Sequence, residues 1–179
     1  MTALVVPDPR LHESWAACVR DFGAETMHGS GFWHLPDGWQ DDLSEPGCRA
    51  FVAELLPYAD PTRVLPGDMV HSDYYWLTDG DPAEVVGFLA LRHDLNAFLL
   101  EEGGHIGYSV RPSRRREGHA TRALGLAVRR AAGLGLDRVL VTCDEDNDAS
   151  RRTIELNGGR YEDSRKGKRR YWIDTHDGR

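Results

Sequence analysis

The sequence predicts a single α/β (α+β) domain, a mixed central sheet flanked by helices. Three patterns predict it. Two β-rich runs, "MVHSDYYWLT" (69–78) and "AEVVGFLALRH" (83–93), are separated only by "DGDP", turn formers that read as a hairpin. A strand-like run, a helical run and another strand-like run then alternate over residues 105–143, the order that stacks helices on a sheet. Finally, "DRVLVTC" (137–143) is a continuous apolar run, as in a strand covered on both faces.

The elements follow in order. "DPRLHESWAACVRDFGAE" (8–25) puts Leu11, Trp15, Cys18, Val19 and Phe22 on one helical face. "GSGFWHLPDGWQDDLSEPG" (29–47) is rich in turn formers and aromatics and reads as a loop. "CRAFVAELLPYA" (48–59) is a short helix stopped at or soon after Pro57. After the hairpin, "DLNAFLLEEGG" gives one helical turn, and "HIGYSVRP" a strand ended by Pro112. A helix over 118–133 buries Ala120, Leu124, Ala127, Val128 and Ala131. "NDASRRTIELN" is a helix with an Asn or Asp cap and "NGG" as its stop. "GRYEDSRKGKRRYWID" closes the chain as a hairpin. Residues 1–67 thus supply the N-terminal helices and loops, and 68–179 the sheet.

With 179 residues, 40% hydrophobic and 28% charged, the composition is that of one soluble globular domain. "MTALVVPDPRLHESW" lacks the basic segment and apolar run of a signal peptide, and no stretch has the length to span a bilayer. Cys18, Cys48 and Cys143 are odd in number and far apart. They point to a reducing, cytoplasmic setting, with neither a disulfide framework nor a metal site. The net charge of -7 is unevenly spread: residues 1–100 hold 16 Asp/Glu against 5 Lys/Arg, residues 101–179 hold 13 against 17. Ligands of opposite sign at two ends, or plain solvation of two faces, both fit that polarity.

The positive charge centres on "RPSRRREGHATRALGLAVRR" (111–130), which holds seven arginines. A strand, a proline, a tight turn and a helix start aim unpaired amides and the positive end of the helix dipole at one point. A diphosphate fits there, with arginines adding charge-assisted bonds and Gly118 letting the main chain approach. A solvated helix face is the bland alternative. Nucleic-acid contact is opposed by the acidic remainder and supported by no motif. No Lys-Ser or Lys-Thr follows the glycine, so this is no Walker loop, and the three-glycine dinucleotide fingerprint is missing.

"VRPSRRREGHATRAL" resembles the Q/R-x-x-G-x-G/A signature of the GNAT N-acetyltransferase family, with Arg115, Gly118 and Ala120 in its fixed positions. Downstream, "LGLDRVLVTCDEDNDASRRTIELNGGRYE" resembles the family's next strand, its Asn-x-x-Ser helix start and its closing glycine turn. The resemblance runs over 84–174, and it is strongest to a subgroup of bacterial acetyltransferases with "LRHxLN", "GGHIGYSVRP" and "VTCDxDNxxS". It implies acetyl-CoA in a gap between two splayed parallel strands, here "HIGYSVR" and "DRVLVTC". Residues 68–179 then form the acetyl-CoA-binding core and 1–67 the acceptor side. The diphosphate would lie on the amides of Arg115, Arg116, Glu117, Gly118, His119 and Ala120, with the Thr121 hydroxyl nearby. Ser109 and Val110 would pair with the pantetheine arm, and Asn147 and Ser150 would steady it.

The implied reaction is direct attack of a neutral amine on the thioester in a ternary complex. An amide near Val110 would stabilise the developing oxyanion. Relatives place a tyrosine acid seven residues after the asparagine, where this chain has Ile154. Tyr108, Ser150 or water must replace it. His105, Glu102 and Glu101 are the candidate bases, His105 titrating in the useful range. Cys143 has no histidine placed to activate it and reads as a buried small hydrophobe. The resemblance makes the chain an enzyme; a catalytically weak coenzyme-A-binding sensor or interaction module is the alternative, for which the missing tyrosine argues.

On the acceptor side, Phe32, Trp33, Trp39, Tyr74, Tyr75 and Trp76 lie among the excess acids, which suits a small cationic amine. The opposing reading makes those rings core and those acids surface. "DEDNDASRRTIE" imitates the acidic spacing of a calcium loop, yet Ala149 stands where the glycine belongs, and the preceding element is a strand. No membrane or nucleic-acid partner is expected. A homodimer through the C-terminal strands is what relatives suggest.

Overall fold

The computed structural model describes residues 1–35, 38–39 and 42–176, the side chain of His34 excepted. Among them, β1 (Ala3–Val5), β2 (Ser72–Asp79), β3 (Glu84–Arg92) and β4 (Ile106–Val110) form one antiparallel sheet in that order. A second antiparallel sheet holds β5 (Arg138–Asp144) at one edge, β6 (Arg160–Arg165) at the other, and β7 (Lys168–Asp174) between them. The helices are α1 (His12–Phe22), α2 (Glu45–Leu55), α3 (His119–Gly133) and α4 (Asp148–Leu156). Among the described residues, no helix is long and apolar enough to cross a membrane.

The expected mixed sheet is therefore two antiparallel sheets that meet along β4 and β5. A crossover helix, α3, joins these two strands, so they run side by side in the same sense. No ladder forms between them. At the seam the His105 amide donates to Leu140 O (2.7 Å), the Leu140 amide to His105 Nδ1 (2.8 Å) and the Thr142 hydroxyl to Glu102 O (2.5 Å). Gly104, at φ +63°, permits the close approach, since a Cβ there would stand 2.6 Å from Leu140 O. Past this point the strands separate.

Two cores follow from the two faces of the first sheet. Leu89, Leu91 and Ile106 pack with Leu124, Ala127, Val141 and Ile154 on the α3–α4 side. On the other side Trp76 and Phe88 pack with α1 and α2; Trp15 stacks on Phe51 (5.7 Å between ring centroids) and Trp76 (6.3 Å). Each fully buried ring or branched side chain contributes roughly 1.5–3 kcal/mol.

Local chemistry explains where the elements differ from expectation. α2 begins at Glu45, inside the expected loop, because Ser44 Oγ accepts from the Gly47 amide (3.2 Å) and Pro46 sits in the first turn. β1 was not foreseen; three residues carry too little pattern, and pairing with β2 creates the strand. Along α3 the buried face is His119, Ala123, Leu124, Ala127, Val128 and Ala131, with Ala120 only half-buried. His119 is buried at the start of the helix, its Nδ1 2.8 Å from the Thr2 hydroxyl. The expected turn at 94–104 ends in a π-helical segment, Leu99–Gly103. The closing hairpin turns on Lys166 and Gly167, both at positive φ, as a two-residue turn of this kind requires.

Candidate active site

The loop from β4 to α3 is shaped by two left-handed residues, Arg116 at φ 67° and Gly118 at φ 82°. Gly118 stands before the first turn of α3 without a side-chain cap. Among the described residues, the amides of 116–121 meet no backbone or side-chain acceptor. They are the open end of a long helix, pointed at solvent beside the β4–β5 gap.

Most of the arginines are engaged elsewhere, which corrects the reading of them as phosphate ligands. Arg111 donates to Asp21 (3.0 Å) and Glu84 (2.9 Å). Arg114 binds Glu84, Asp79 (3.1 Å) and Glu117 (2.9 Å). Arg115 binds Val110 O (3.0 Å) and Glu25 (2.6 Å). The basic stretch thus cancels the acids of the first half of the chain. Arg116 is exposed, and Arg122 reaches the Glu117 carbonyl (3.1 Å). Glu117 Oε2 lies 3.1 Å from His119 Nε2, and the Arg114 guanidinium beside it holds its carboxyl below the usual range. The side chains of Glu117 and His119 thus brace the loop, and only their amides are open to a ligand. Ala120 and Thr121 are half-buried in the first turn of α3.

The phase of β4 decides which backbone groups face the gap. The Arg111 amide donates to Val86 O (2.9 Å), and Gly107 and Ser109 stand opposite Ala90 and Phe88. Alternation then turns the N–H and C=O of Tyr108 and Val110 away from β3 and into the gap. Ser109 turns the other way, with its hydroxyl on His28 O (2.8 Å), so its expected pairing with pantetheine is not available. Tyr108 Oη and Ser150 Oγ lie 2.8 Å apart across the gap. Asn147 caps α4 by accepting from the Ser150 amide (2.9 Å). Burial pushes the Tyr108 phenol up to about 12, so it stays a neutral donor. Ile154 is fully buried in the core.

A cavity of about 1200 Å³ opens from Tyr108, Asn147 and Ser150 toward the loop 23–33 and toward Met69 and Arg92. Phe32, Trp33, Trp39 and Tyr74 line it. Tyr75 and Trp76 do not: Tyr75 lies under the Arg130 guanidinium (4.7 Å) and Trp76 under Trp15, both in the cores. Cys143 lines the cavity, and burial raises its thiol pKa. Asp144 is paired with Lys168 and Asp148 with Arg151 (2.9 Å).

The candidate bases separate sharply. His105 is buried at the seam, where its Nδ1 accepts from Leu140, and burial pushes its pKa down to about 4. It does not line the cavity, so the expectation that it serves as base is withdrawn. Glu101 is tied to Arg165 (2.7 Å); Glu102 lines the cavity with Lys166 at 3.2 Å.

Two cavity residues escaped the sequence reading. His28 is carried in by the loop around Gly29, which lies so tightly on β4 that a Cβ there would fall 2.2 Å from Gly107 O. Desolvation by the cavity walls, then the charge of Lys168, holds the His28 imidazole below its usual pKa. Arg92 comes in from the end of β3. The glycines that follow His28 in "HGSG" were one signal, and Arg92 lies within the "LRHxLN" stretch of the resemblance, to which no role was attached.

The acetyltransferase (GNAT) domain model matches residues 39–160. The chain therefore belongs to the GNAT family of acetyltransferases. Solved structures agree in fold. RimJ of Mycobacterium smegmatis, in complex with CoA-disulfide, is 20% identical with a TM-score of 0.68, over 97% of this chain and 81% of that one. A ribosomal-protein-alanine acetyltransferase of Vibrio fischeri is 12% identical with a TM-score of 0.67, over 99% and 94%. The microcin self-immunity acetyltransferase MccE, in complex with acetyl-CoA and AMP, is 13% identical with a TM-score of 0.63, over 97% and 92%. No curated protein matches the chain.

Proposed function

We propose that this chain moves the acetyl group of acetyl-CoA directly to a primary amine of a small molecule held in the cavity. The observation that carries the reading is continuity. Open amides at 116–121 lead to the inward-facing backbone of Tyr108 and Val110, and from there into the cavity. The residues present fit the cofactor: donors without partners for the diphosphate, and for the pantetheine arm the β4 edge at Tyr108 and the Val110 N–H, the Val110 carbonyl being taken by Arg115.

Bound acetyl-CoA supplies the activated acyl group. The amides of 116–121 hold its diphosphate, with the Thr121 hydroxyl at hand, and Val110 N–H donates to the carbonyl oxygen as charge develops. The neutral Tyr108 hydroxyl, aligned by Ser150, gives a proton to the departing thiolate in place of the family's tyrosine, and regains one as the attacking nitrogen sheds its second proton on becoming an amide. His28, neutral because its surroundings disfavour the charged form, takes the proton from the acceptor ammonium. Cys143 stays out of the chemistry, since its raised pKa keeps it a thiol.

Acetylation of a protein N-terminus is the second reading, favoured by the name of the Vibrio fischeri structure. Release of coenzyme A thiol over a panel of small amines and N-terminal peptides separates the two. Consumption of peptides only overturns the small-molecule reading, and tight binding without release from any acceptor makes the chain a sensor. The reaction is placed in the cytoplasm, consistent with three free, buried cysteines. Nucleic acid has no part in the proposal, because Arg111, Arg114 and Arg115 are paired within the chain. A homodimer through the C-terminal strands is tested by sedimentation velocity.

A further inference from the structure

The charges lining the cavity are unequally satisfied. Glu25 faces Arg115 (2.6 Å), Glu102 faces Lys166 (3.2 Å) and Asp144 faces Lys168. Arg92 has no such counterpart. Its Nη1 donates to the carbonyls of Gly103 and Gly104, both at 3.0 Å. Its Nε and Nη2 meet no acceptor, and no carboxylate forms an ion pair with it, among the described residues. Tyr74 is its near polar neighbour, a phenol pushed up to about 12 by burial and so uncharged. The guanidinium is half-buried against the cavity wall, and with no carboxylate facing it its free donors are left for a ligand's anion.

Its position makes the ligand's place definite. Arg92 leaves the end of β3 on the same face as Phe88 and Ala90, the face that carries α1 and α2. Nη2 lies 3.4 Å from where a Cβ of Gly107 would be. Gly107 precedes Tyr108, so the free side of the guanidinium lies against β4 one residue before the one whose amide opens into the gap. Phe32, Tyr74 and Phe98 supply apolar wall around it. His28 lies close enough for the two charges to be felt.

We propose that Arg92 is a specificity-determining residue that receives a carboxylate on the acceptor, so that the acceptor is a small amino-acid-like molecule carrying amine and carboxylate together. This rests on the acetyltransferase reading above and narrows it. The guanidinium offers Nε and Nη2 as a planar pair of donors, the fork that a carboxylate fills with two parallel bonds. The amine then falls toward Tyr108 and His28. Of the carboxylates lining the cavity, Glu25, Glu102 and Asp144 are paired with cations, whereas Asp68 forms no ion pair among the described residues, so the cavity offers Arg92 to a carboxylate and keeps one acid for an amine.

The test compares each of several L-amino acids, phenylalanine and methionine among them, with its own carboxamide. Initial rates are read by thiol release in wild type, Arg92→Gln and Arg92→Lys. The carboxylate member is expected to have kcat/KM roughly tenfold to a hundredfold above its amide in wild type. That ratio should collapse to near unity in Arg92→Gln and survive in part in Arg92→Lys. Equal rates for both members in wild type, or a ratio unchanged in Arg92→Gln, overturns the proposal. Because the ratio is taken within one protein, loss of stability from the Gly103 and Gly104 contacts does not imitate it. If no member releases thiol while another small amine or a peptide does, the amino-acid proposal has failed; if none of these acceptors releases thiol, the acetyltransferase reading has failed. Binding of the N-acetyl amino acids against N-acetyl amides, by calorimetry with coenzyme A present, then decides Arg92 by the same comparison.

Discussion

Acid should loosen this fold through His105. In the unfolded chain its imidazole titrates near the ordinary 6.5, whereas burial at the β4–β5 seam pushes it down to about 4. The native state holds the neutral ring, with Nδ1 accepting from the Leu140 amide at 2.8 Å. Between the two pKa values the unfolded state binds the extra proton, so stability is whole above pH 6.5 and falls as pH drops toward 4. A gap of roughly 2.5 units corresponds to about 3 kcal/mol in full and about 2 kcal/mol by pH 5. His105→Asn keeps an acceptor near the Nδ1 position and removes the titration. Urea unfolding at pH 7.5 and pH 5 should therefore show wild type losing about 2 kcal/mol more than His105→Asn, the paired carboxylates contributing alike to both. Equal losses in the two proteins refute the buried, neutral, structural histidine. A pH–rate profile for kcat whose acid limb disappears in His105→Asn restores it as a base.

Other outcomes follow from the same geometry. Gly29→Ala adds a Cβ 2.2 Å from Gly107 O and 2.9 Å from the Ala90 amide at φ +79°. It should destabilise by about 2–4 kcal/mol and raise the acceptor KM, while acetyl-CoA affinity measured by calorimetry stays put. Tyr108→Phe removes the Ser150 partner and should lower kcat roughly a hundredfold, with KM for acetyl-CoA little changed. His28→Gln should abolish the acid limb of kcat. That limb lies below pH 6.5 in wild type, because His28 must be neutral to accept a proton and its pKa is lowered, with Lys168, Asp144 and Arg92 as its charged surroundings. A limb that persists in His28→Gln assigns the base elsewhere.

Local pattern carried much of the fold into view. The unbroken apolar run of β5 and the hairpin signals around Gly80 and Gly167 each depend on neighbours a few residues apart, so sequence spacing exposes them. The family signature at Arg115, Gly118 and Ala120 is equally local. What stayed hidden is long-range. Arg111 meets Asp21 and Arg115 meets Glu25, each pair ninety residues apart, so a basic stretch that looked like a ligand seat is largely an internal counter-ion. His105 stands just before β4, where strand alternation says nothing of the gap seam behind it. His28 and Arg92 reach the cavity because a glycine loop packs on β4 and because β3 ends beside Gly107. Neither fact has a periodicity. The split between Tyr108, facing the gap, and Ser109, facing β3, depends on the hydrogen-bond phase, which no sequence count fixes.

The central claim is that the open amides after β4 grip the diphosphate of coenzyme A, and amide hydrogen exchange of the wild-type protein tests it most directly. Adding coenzyme A should slow exchange at residues 116–121, and at Tyr108 and Val110 along the gap. Binding that leaves 116–121 exchanging at their free rate, with protection appearing on another face, contradicts it.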